Sequence, residues 1–161
     1  MGREVRRVPP NWEHPKDVSG QYVSMYDETY KEASEEWMQE LDKWREEGRE
    51  GYAWEYFGNP PDDRCYRPEF TEEPTWYQLY QTVSEGYPVS PPFETPEELA
   101  RYLSDKGDFW YQTDIELGRE PLFSKPTYEQ ALSLVLSEWS PTMSHVEGKI
   151  IGPYEMQDLE E

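Results

Sequence analysis

Residues 75–107 constrain the fold most, because this stretch carries clear signals for where helices begin and end. Thr95-Pro96-Glu97-Glu98 combines an N-cap threonine, a proline at the first helical position and a glutamate placed to complete a capping box. Gly107 suits the position just beyond a helix. In the preceding segment, the i, i+3, i+4, i+7 spacing of a helix face is shown by Trp76, Leu79, Tyr80 and Val83. The stretch therefore predicts two amphipathic helices, over 75–86 and 96–106, joined by a proline-rich connector.

The C-terminal third carries similar signals. Thr127 and Gln130 form a capping-box pattern at the start of another helix. Apolar pairs flank Glu147-Gly148, which is typical of a small β-hairpin. The segment 108–126 has no clean period, and we interpret it as a loop or short strand.

Composition indicates that the core is built largely from aromatic side chains. Leu, Ile, Val and Phe total 26 of 161 residues, a scarcity that together with high net charge is typical of disorder. The 7 Trp and 13 Tyr compensate, because each ring buries roughly 150–250 Å². We therefore expect a mainly α fold of the α+β class: one aromatic-rich domain of about four to five helices, with a small C-terminal β-hairpin and long proline-rich loops.

Prolines and charge set the expected boundaries of that domain. Pro9, Pro10 and Pro15 bar a regular helix, so residues 1–26 are expected to form an extended arm. A single globular domain is expected over 27–154. An acidic tail is expected over 155–161.

Net charge bears most directly on function. The formal charge of -20 disfavours direct binding to nucleic-acid phosphates or anionic membranes, and it favours a partner with a basic surface. No apolar run is long enough for a membrane span, and the N-terminal segment lacks the apolar stretch of a signal peptide. A single cysteine, Cys65, permits no internal disulfide. Together these features indicate a cytosolic protein.

The most acidic regular element is a helix predicted over 27–48, with Asp27 as N-cap. One face carries an aromatic stripe, and the opposite face carries the candidate partner-binding residues Glu28, Glu32, Glu35, Asp42 and Glu46. Carboxylates one turn apart lie roughly 5–6 Å from each other and repel, a cost that a basic partner would neutralise. A solvated surface gives the same pattern, and the sequence does not distinguish the two.

Patterns for catalysis or metal binding are missing from the sequence. His14 and His145 lie far apart in the chain, and no zinc, calcium, phosphate-loop or nucleophile-elbow motif occurs. We therefore expect no catalytic residue, no metal and no cofactor, and a protein that is not an enzyme. Paired carboxylates beside Trp and Tyr leave carbohydrate binding or cleavage as an alternative. With 35 acidic residues, however, some pair always fits.

Three segments carry a resemblance to a known family: EVRRVPPNWEHP, YQTVSEGYPVSPPFETPEELARYL and WSPTMSHVEGKIIGP. The chain resembles a functionally uncharacterised family of small acidic proteins encoded by bacteriophages and prophages. This resemblance implies a phage gene product in the cytoplasm of a bacterial host. It carries over no site residue.

Function is expected by analogy with anti-restriction and anti-CRISPR proteins, several of which present carboxylates where a nuclease expects phosphates. The expected function is that of a DNA-mimic inhibitor, whose partner is the basic surface of a host nucleic-acid-binding defence enzyme. A phage structural or assembly accessory protein is the first alternative, and a carbohydrate-binding or carbohydrate-active protein is the second. The sequence leaves the oligomeric state open.

Overall fold

A computed structural model describes residues 2–48, 50–82, 85–141, 144–146 and 149–155. The chain divides into two compact units. We call Met1–Val23 together with Phe70–Glu161 the sheet unit, and Ser24–Glu69 the acidic unit. In chain order the elements are β1 (Gly2–Val8), β2 (Tyr26–Thr29), α1 (Tyr30–Glu46), α2 (Ala53–Phe57), β3 (Tyr66–Arg67), β4 (Trp76–Thr82), β5 (Tyr87–Pro88), α3 (Pro96–Lys106), α4 (Phe109–Glu116), α5 (Tyr128–Ser137), β6 (Trp139–Pro141), β7 (Ser144–Val146) and β8 (Lys149–Ile151).

An antiparallel sheet of four strands, in the order β5-β4-β1-β6, organises the sheet unit. β1 pairs with β4 along its whole length and with β6 over its first residues. Residues 2–8, which lie in the expected extended arm, therefore form an inner strand. Val5 and Leu79 lie directly opposite each other in the two central strands, and both belong to the hydrophobic core.

Aliphatic side chains fill the core of this unit. α3 packs against α5 and against β4, and the side chains that meet there include Leu79, Leu99, Leu103 and Leu134, each with 0% of its surface exposed. The expectation of a core built mainly on aromatic rings therefore does not describe this unit, where the few aliphatic residues are concentrated in one place.

The other face of β4 is buried as well, but by polar groups. Side chains alternate between the faces of a strand, so Tyr80 lies on the face opposite Leu79. The guanidinium of Arg6 lies 4.3 Å from the centre of the Tyr80 ring. The Tyr80 hydroxyl lies 3.0 Å from Nδ1 of the buried His14.

The prediction of a mainly α fold is wrong, and β4 shows why. The helix predicted over 75–86 is a strand at 76–82, while Val83 lies outside the described residues. Both faces of β4 are covered, so Gln78 and Gln81 are buried beside apolar neighbours. Gln78 Nε2 donates to the carbonyl of Ser90 at 2.8 Å. These buried polar residues broke the apolar alternation of a strand and left a spacing that resembles a helix face.

A second correction concerns residues 108–126, where α4 occupies a segment interpreted as loop or strand. Asp108 caps this helix, because its Oδ1 accepts a hydrogen bond from the backbone N–H of Tyr111 at 3.0 Å. Aromatic residues occur all around α4, so no amphipathic period was visible. By contrast, α3 begins at Pro96 and ends before Gly107, with the Thr95 hydroxyl accepting from Glu98 N at 3.1 Å.

The acidic unit contains α1, α2 and a short parallel pairing of β2 with β3. Thr29 caps α1 through a complete capping box, so the N-cap lies two residues after the predicted N-cap, Asp27. Among the described residues of this unit, only Met25, Thr29 and Ala33 are buried.

Three further expectations concern the C-terminal part and the domain boundaries. β7 and β8 pair in antiparallel fashion where the hairpin was predicted, whereas its Glu147-Gly148 turn lies outside the described residues. The same is true of residues 156–161 of the expected acidic tail. The boundaries of a single domain at 27 and 154 stay a prediction.

Candidate functional site

Two features position the carboxylates of α1: the cap at the start of this helix, and the partial burial of its aromatic side chains. The Thr29 hydroxyl accepts a hydrogen bond from Glu32 N at 3.2 Å, and Glu32 Oε2 accepts one from Thr29 N at 3.3 Å. Further along the helix, Trp37 and Trp44 are half-buried. The remaining faces are thereby left to charged side chains.

Three of the five predicted residues form an exposed row. Glu35, Asp42 and Glu46 are all exposed, and none of them has a salt-bridge partner within the part of the chain that the structure describes. At 1.5 Å of rise per residue the row extends over about 16 Å. These three carboxylates share one side of the helix, as the helical period predicts. They do not line the groove described below.

The other two predicted residues have different surroundings. Glu32 holds the helix start, as described above. Glu28 precedes the helix, in β2, and is partly buried. Burial raises the pKa of Glu28, and the neighbouring carboxylates of Glu36 and Glu32 raise it further.

Glu28 opens onto a groove of about 440 Å³ beside α1. Glu36 and Glu40 line the same groove, together with the aromatic residues Trp37 and Tyr66. No lysine or arginine lines it among the described residues. Burial and the nearby Glu28 carboxylate raise the pKa of the Tyr66 hydroxyl. The groove is therefore both anionic and aromatic.

Sequence reasoning missed Glu36 and Glu40, although a signal for them existed. They are one turn apart, next to the aromatic stripe of α1, so they lie on the side of the helix that faces α2. α2 is held there by ring contacts: Trp37 meets Phe57 edge-on at 5.6 Å between ring centres, and Trp37 Nε1 donates to the carbonyl of Gly58 at 3.2 Å. The helical period places the outer carboxylates farthest from these rings.

A buried polar cluster in the sheet unit was also missed. Asp108 Oδ2 accepts hydrogen bonds from Arg3 Nη2 at 3.3 Å and from the Tyr154 hydroxyl at 2.8 Å. Burial raises the pKa of Tyr154 well above its ordinary value, and the Asp108 charge raises it further. Tyr154 therefore keeps its proton and donates it to the carboxylate. Nothing in the sequence links Arg3 to Asp108, because the fold alone brings them together.

No protein-family model matches the chain, and no curated protein and no solved structure is significantly similar to it. Among the described residues, no helix is long and apolar enough to cross a membrane. In the same part of the chain, no three side chains of His, Cys, Asp or Glu are placed so that they could hold a metal ion together.

Proposed function

We propose that the acidic unit binds the basic surface of another protein. Through this binding the chain acts as a non-enzymatic inhibitor of a nucleic-acid-binding defence enzyme in a bacterial host. The observation that carries the proposal is the groove beside α1, where three carboxylates and aromatic rings line one space, with no lysine or arginine among the described lining residues. The resemblance to phage-encoded proteins supports the choice of partner.

An arginine or lysine of the partner suits this groove for two reasons. Glu28, Glu36 and Glu40 supply acceptors for charge-assisted hydrogen bonds, which are roughly twice as strong as neutral ones. Trp37 and Tyr66 supply ring faces, and a cation over such a face contributes about 0.5–2 kcal/mol. A bound cation also offsets the repulsion from Glu36 and Glu32, which adds to burial in raising the pKa of Glu28.

The spacing of charge along α1 supports mimicry of DNA. Between residues 32 and 46 the helix carries six carboxylates over about 21 Å, which is an average separation of about 4 Å along the axis. One strand of B-form DNA carries a phosphate every ~3.4 Å of axis. Lys43 and Arg45 reduce the net charge of this segment. The six residues are Glu32, Glu35, Glu36, Glu40, Asp42 and Glu46.

The test is displacement of labelled duplex DNA from purified restriction endonucleases and CRISPR effector complexes, measured by fluorescence anisotropy. The groove variant Glu28→Gln/Glu36→Gln/Glu40→Gln should need at least about tenfold more protein to displace the DNA, because it keeps the rings and loses the acceptors. Neutral replacements relieve like-charge repulsion, so folding is retained. Displacement by the unaltered chain should weaken as salt is raised.

A matched control changes three exposed carboxylates of the sheet unit, Glu94→Gln/Glu116→Gln/Glu120→Gln, with the same change in net charge. This control should displace DNA as well as the unaltered chain. Equal loss in both variants would mean that only net charge matters and would contradict a groove. The outer-row variant Glu35→Gln/Asp42→Asn/Glu46→Gln should mainly slow association, because exposed charges act on the rate of encounter.

A further inference from the structure

The sheet unit contains a cavity of about 240 Å³ that the sequence patterns did not predict. We call it the Arg3 cavity. Its walls are apolar and aromatic, formed chiefly by Trp110, Tyr111, Leu122, Phe123 and Pro153. Trp110 is 49% exposed and Leu122 is 71% exposed, so these two side chains lie at the mouth.

Two of the wall rings, Phe123 and Tyr111, pack directly against the backbone of glycine residues. A Cβ atom at position 152 would lie 2.7 Å from Cγ of Phe123, and one at Gly107 would lie 2.6 Å from the Tyr111 ring. At Gly107 the backbone φ of 79° also favours glycine. Both rings therefore occupy positions that only glycine at these sites permits.

Arg3 and Asp108 also line the cavity. Arg3 is 6% exposed, and its Nε and Nη2 donate to Asp108 Oδ2. Its remaining nitrogen, Nη1, is buried and has no hydrogen-bond partner among the described residues. An unpaired buried donor is costly, so the cavity combines apolar walls with one unused donor.

We propose that the Arg3 cavity binds a small neutral molecule with an apolar, preferably aromatic, body and one hydrogen-bond acceptor oxygen, such as a ketone or an amide. Size supports this class, because an apolar cavity of about 150 Å³ accepts benzene. A cavity of about 240 Å³ accommodates one ring with a short substituent. The acceptor oxygen receives the N–H of Arg3 Nη1.

The ion pair of Arg3 and Asp108 at the floor of the cavity disfavours an anionic ligand. Asp108 already neutralises Arg3, and Asp108 Oδ2 lies against three donors, so an added carboxylate would be buried beside another carboxylate. At the mouth, Lys125 Nζ donates to the carbonyl of Asp105 at 3.1 Å. A neutral acceptor satisfies Nη1 without adding charge.

The experiment uses three probes of similar shape: acetophenone, isopropylbenzene, which lacks the acceptor, and benzoate, which is an anion. Each is titrated into isotopically labelled protein, and the amide and Trp110 indole signals are followed by NMR. Acetophenone should shift the signals of the cavity residues and bind at least about fivefold more tightly than either other probe, as one satisfied buried donor allows. Equal affinity for acetophenone and isopropylbenzene, or shifts confined to residues elsewhere, would overturn the proposal.

Two variants separate the donor from the walls. Arg3→Lys keeps a charge beside Asp108 and removes Nη1, so acetophenone should lose its advantage over isopropylbenzene. Because Arg3 is buried and this variant is at risk of misfolding, Trp110→Ala provides a second measure at a half-exposed position. Trp110→Ala should weaken binding of acetophenone about fivefold through loss of a ring wall.

The matched control is Trp54→Ala, which removes another half-exposed tryptophan, in the acidic unit. It should leave the affinity for acetophenone unchanged. An equal effect of the two tryptophan variants would also overturn the proposal.

Discussion

The two units of the chain are built from different side chains. In the sheet unit, leucines from β4, α3 and α5 are fully buried against one another. In the acidic unit, only three described residues are buried, and the elements are held by partly exposed ring pairs such as Trp37 with Phe57 and Trp44 with Tyr56. One chain can therefore place its few aliphatic residues in one core and hold a second unit together by aromatic contacts.

This division has consequences for stability and for surface chemistry. Buried apolar area contributes about 25 cal/mol per Å², so the sheet unit should hold most of the free energy of unfolding. The acidic unit carries 14 acidic and 6 basic residues between Ser24 and Glu69, and repulsion among them opposes its compact state. The chain thus combines a unit with an apolar core and a smaller unit rich in charged and aromatic residues.

The largest expected effect comes from Leu134→Ala in α5. Leu134 is 0% exposed within the core, so the change should lower the free energy of unfolding by about 2–5 kcal/mol, measured by urea titration. Leu136→Ala, two residues along the same helix at a position 64% exposed, is the control. It should change stability by less than about 0.5 kcal/mol. Similar values for both would refute a core concentrated at α3 and α5.

A smaller effect is expected for Trp37→Ala in the acidic unit. The change removes the ring contact to Phe57 and the hydrogen bond to the Gly58 carbonyl, together worth about 1–2 kcal/mol. Hydrogen exchange should show lost protection in α1, with protection of α3 and α5 retained. Loss of protection in both units would contradict this prediction, because it would show that the aromatic contacts stabilise the whole chain.

In the sheet unit, His14 should make stability depend on pH. Burial lowers the pKa of His14 from its ordinary value of 6.5, and the positive charge of Arg6 lowers it further, although the hydrogen bond to the Val23 carbonyl acts in the opposite direction. The unfolded chain therefore binds the proton more readily. The free energy of unfolding should fall as pH drops below 6.5, and continue to fall until the folded-state pKa is passed. In thermal melts between about pH 7.5 and 5.5, His14→Gln should lack this slope.

The smallest effect concerns Glu28 in the acidic unit. Because burial and neighbouring carboxylates raise its pKa, the folded unit binds a proton more readily than the unfolded chain does, and stability is lost as pH rises through that pKa. Glu28→Gln should therefore raise the melting temperature of α1 slightly at neutral pH. Glu116→Gln, an exposed carboxylate of the sheet unit, should leave it unchanged. A lower melting temperature for Glu28→Gln would show that Glu28 has a stabilising partner.

How much of the fold could be predicted depended on whether the signals were local. The limits of α3 follow from Thr95, Pro96 and Gly107, because caps act over three or four neighbouring residues. The strand character of β4 could not be predicted in this way. Its buried glutamines are satisfied by residues such as Ser90, and the sequence does not show that such partners lie near.

The same distinction applies to the sites. The outer carboxylates of α1 could be predicted, because the helical period places Glu35, Asp42 and Glu46 on one side. The groove could not be predicted, because α2 and Tyr66 form walls of it beside Glu36 and lie far from Glu36 in the sequence. The Arg3 cavity was still less predictable, because its floor is formed by Arg3 and Asp108, which lie 105 positions apart in the sequence.

The inner position of β1 has a consequence for synthesis on the ribosome. β1 is translated before the other described elements, yet β6, which pairs with it, ends at Pro141. At about 5–20 residues per second, this strand waits roughly 7–30 s before its second neighbour has been translated. The acidic unit is a continuous segment that is complete about halfway through that interval. When Glu69 has been translated, the nascent chain carries a complete acidic unit and an arginine-rich strand without either neighbour. β4 then covers one edge of this strand, and the other edge stays open to chaperones or to other chains until β6 follows.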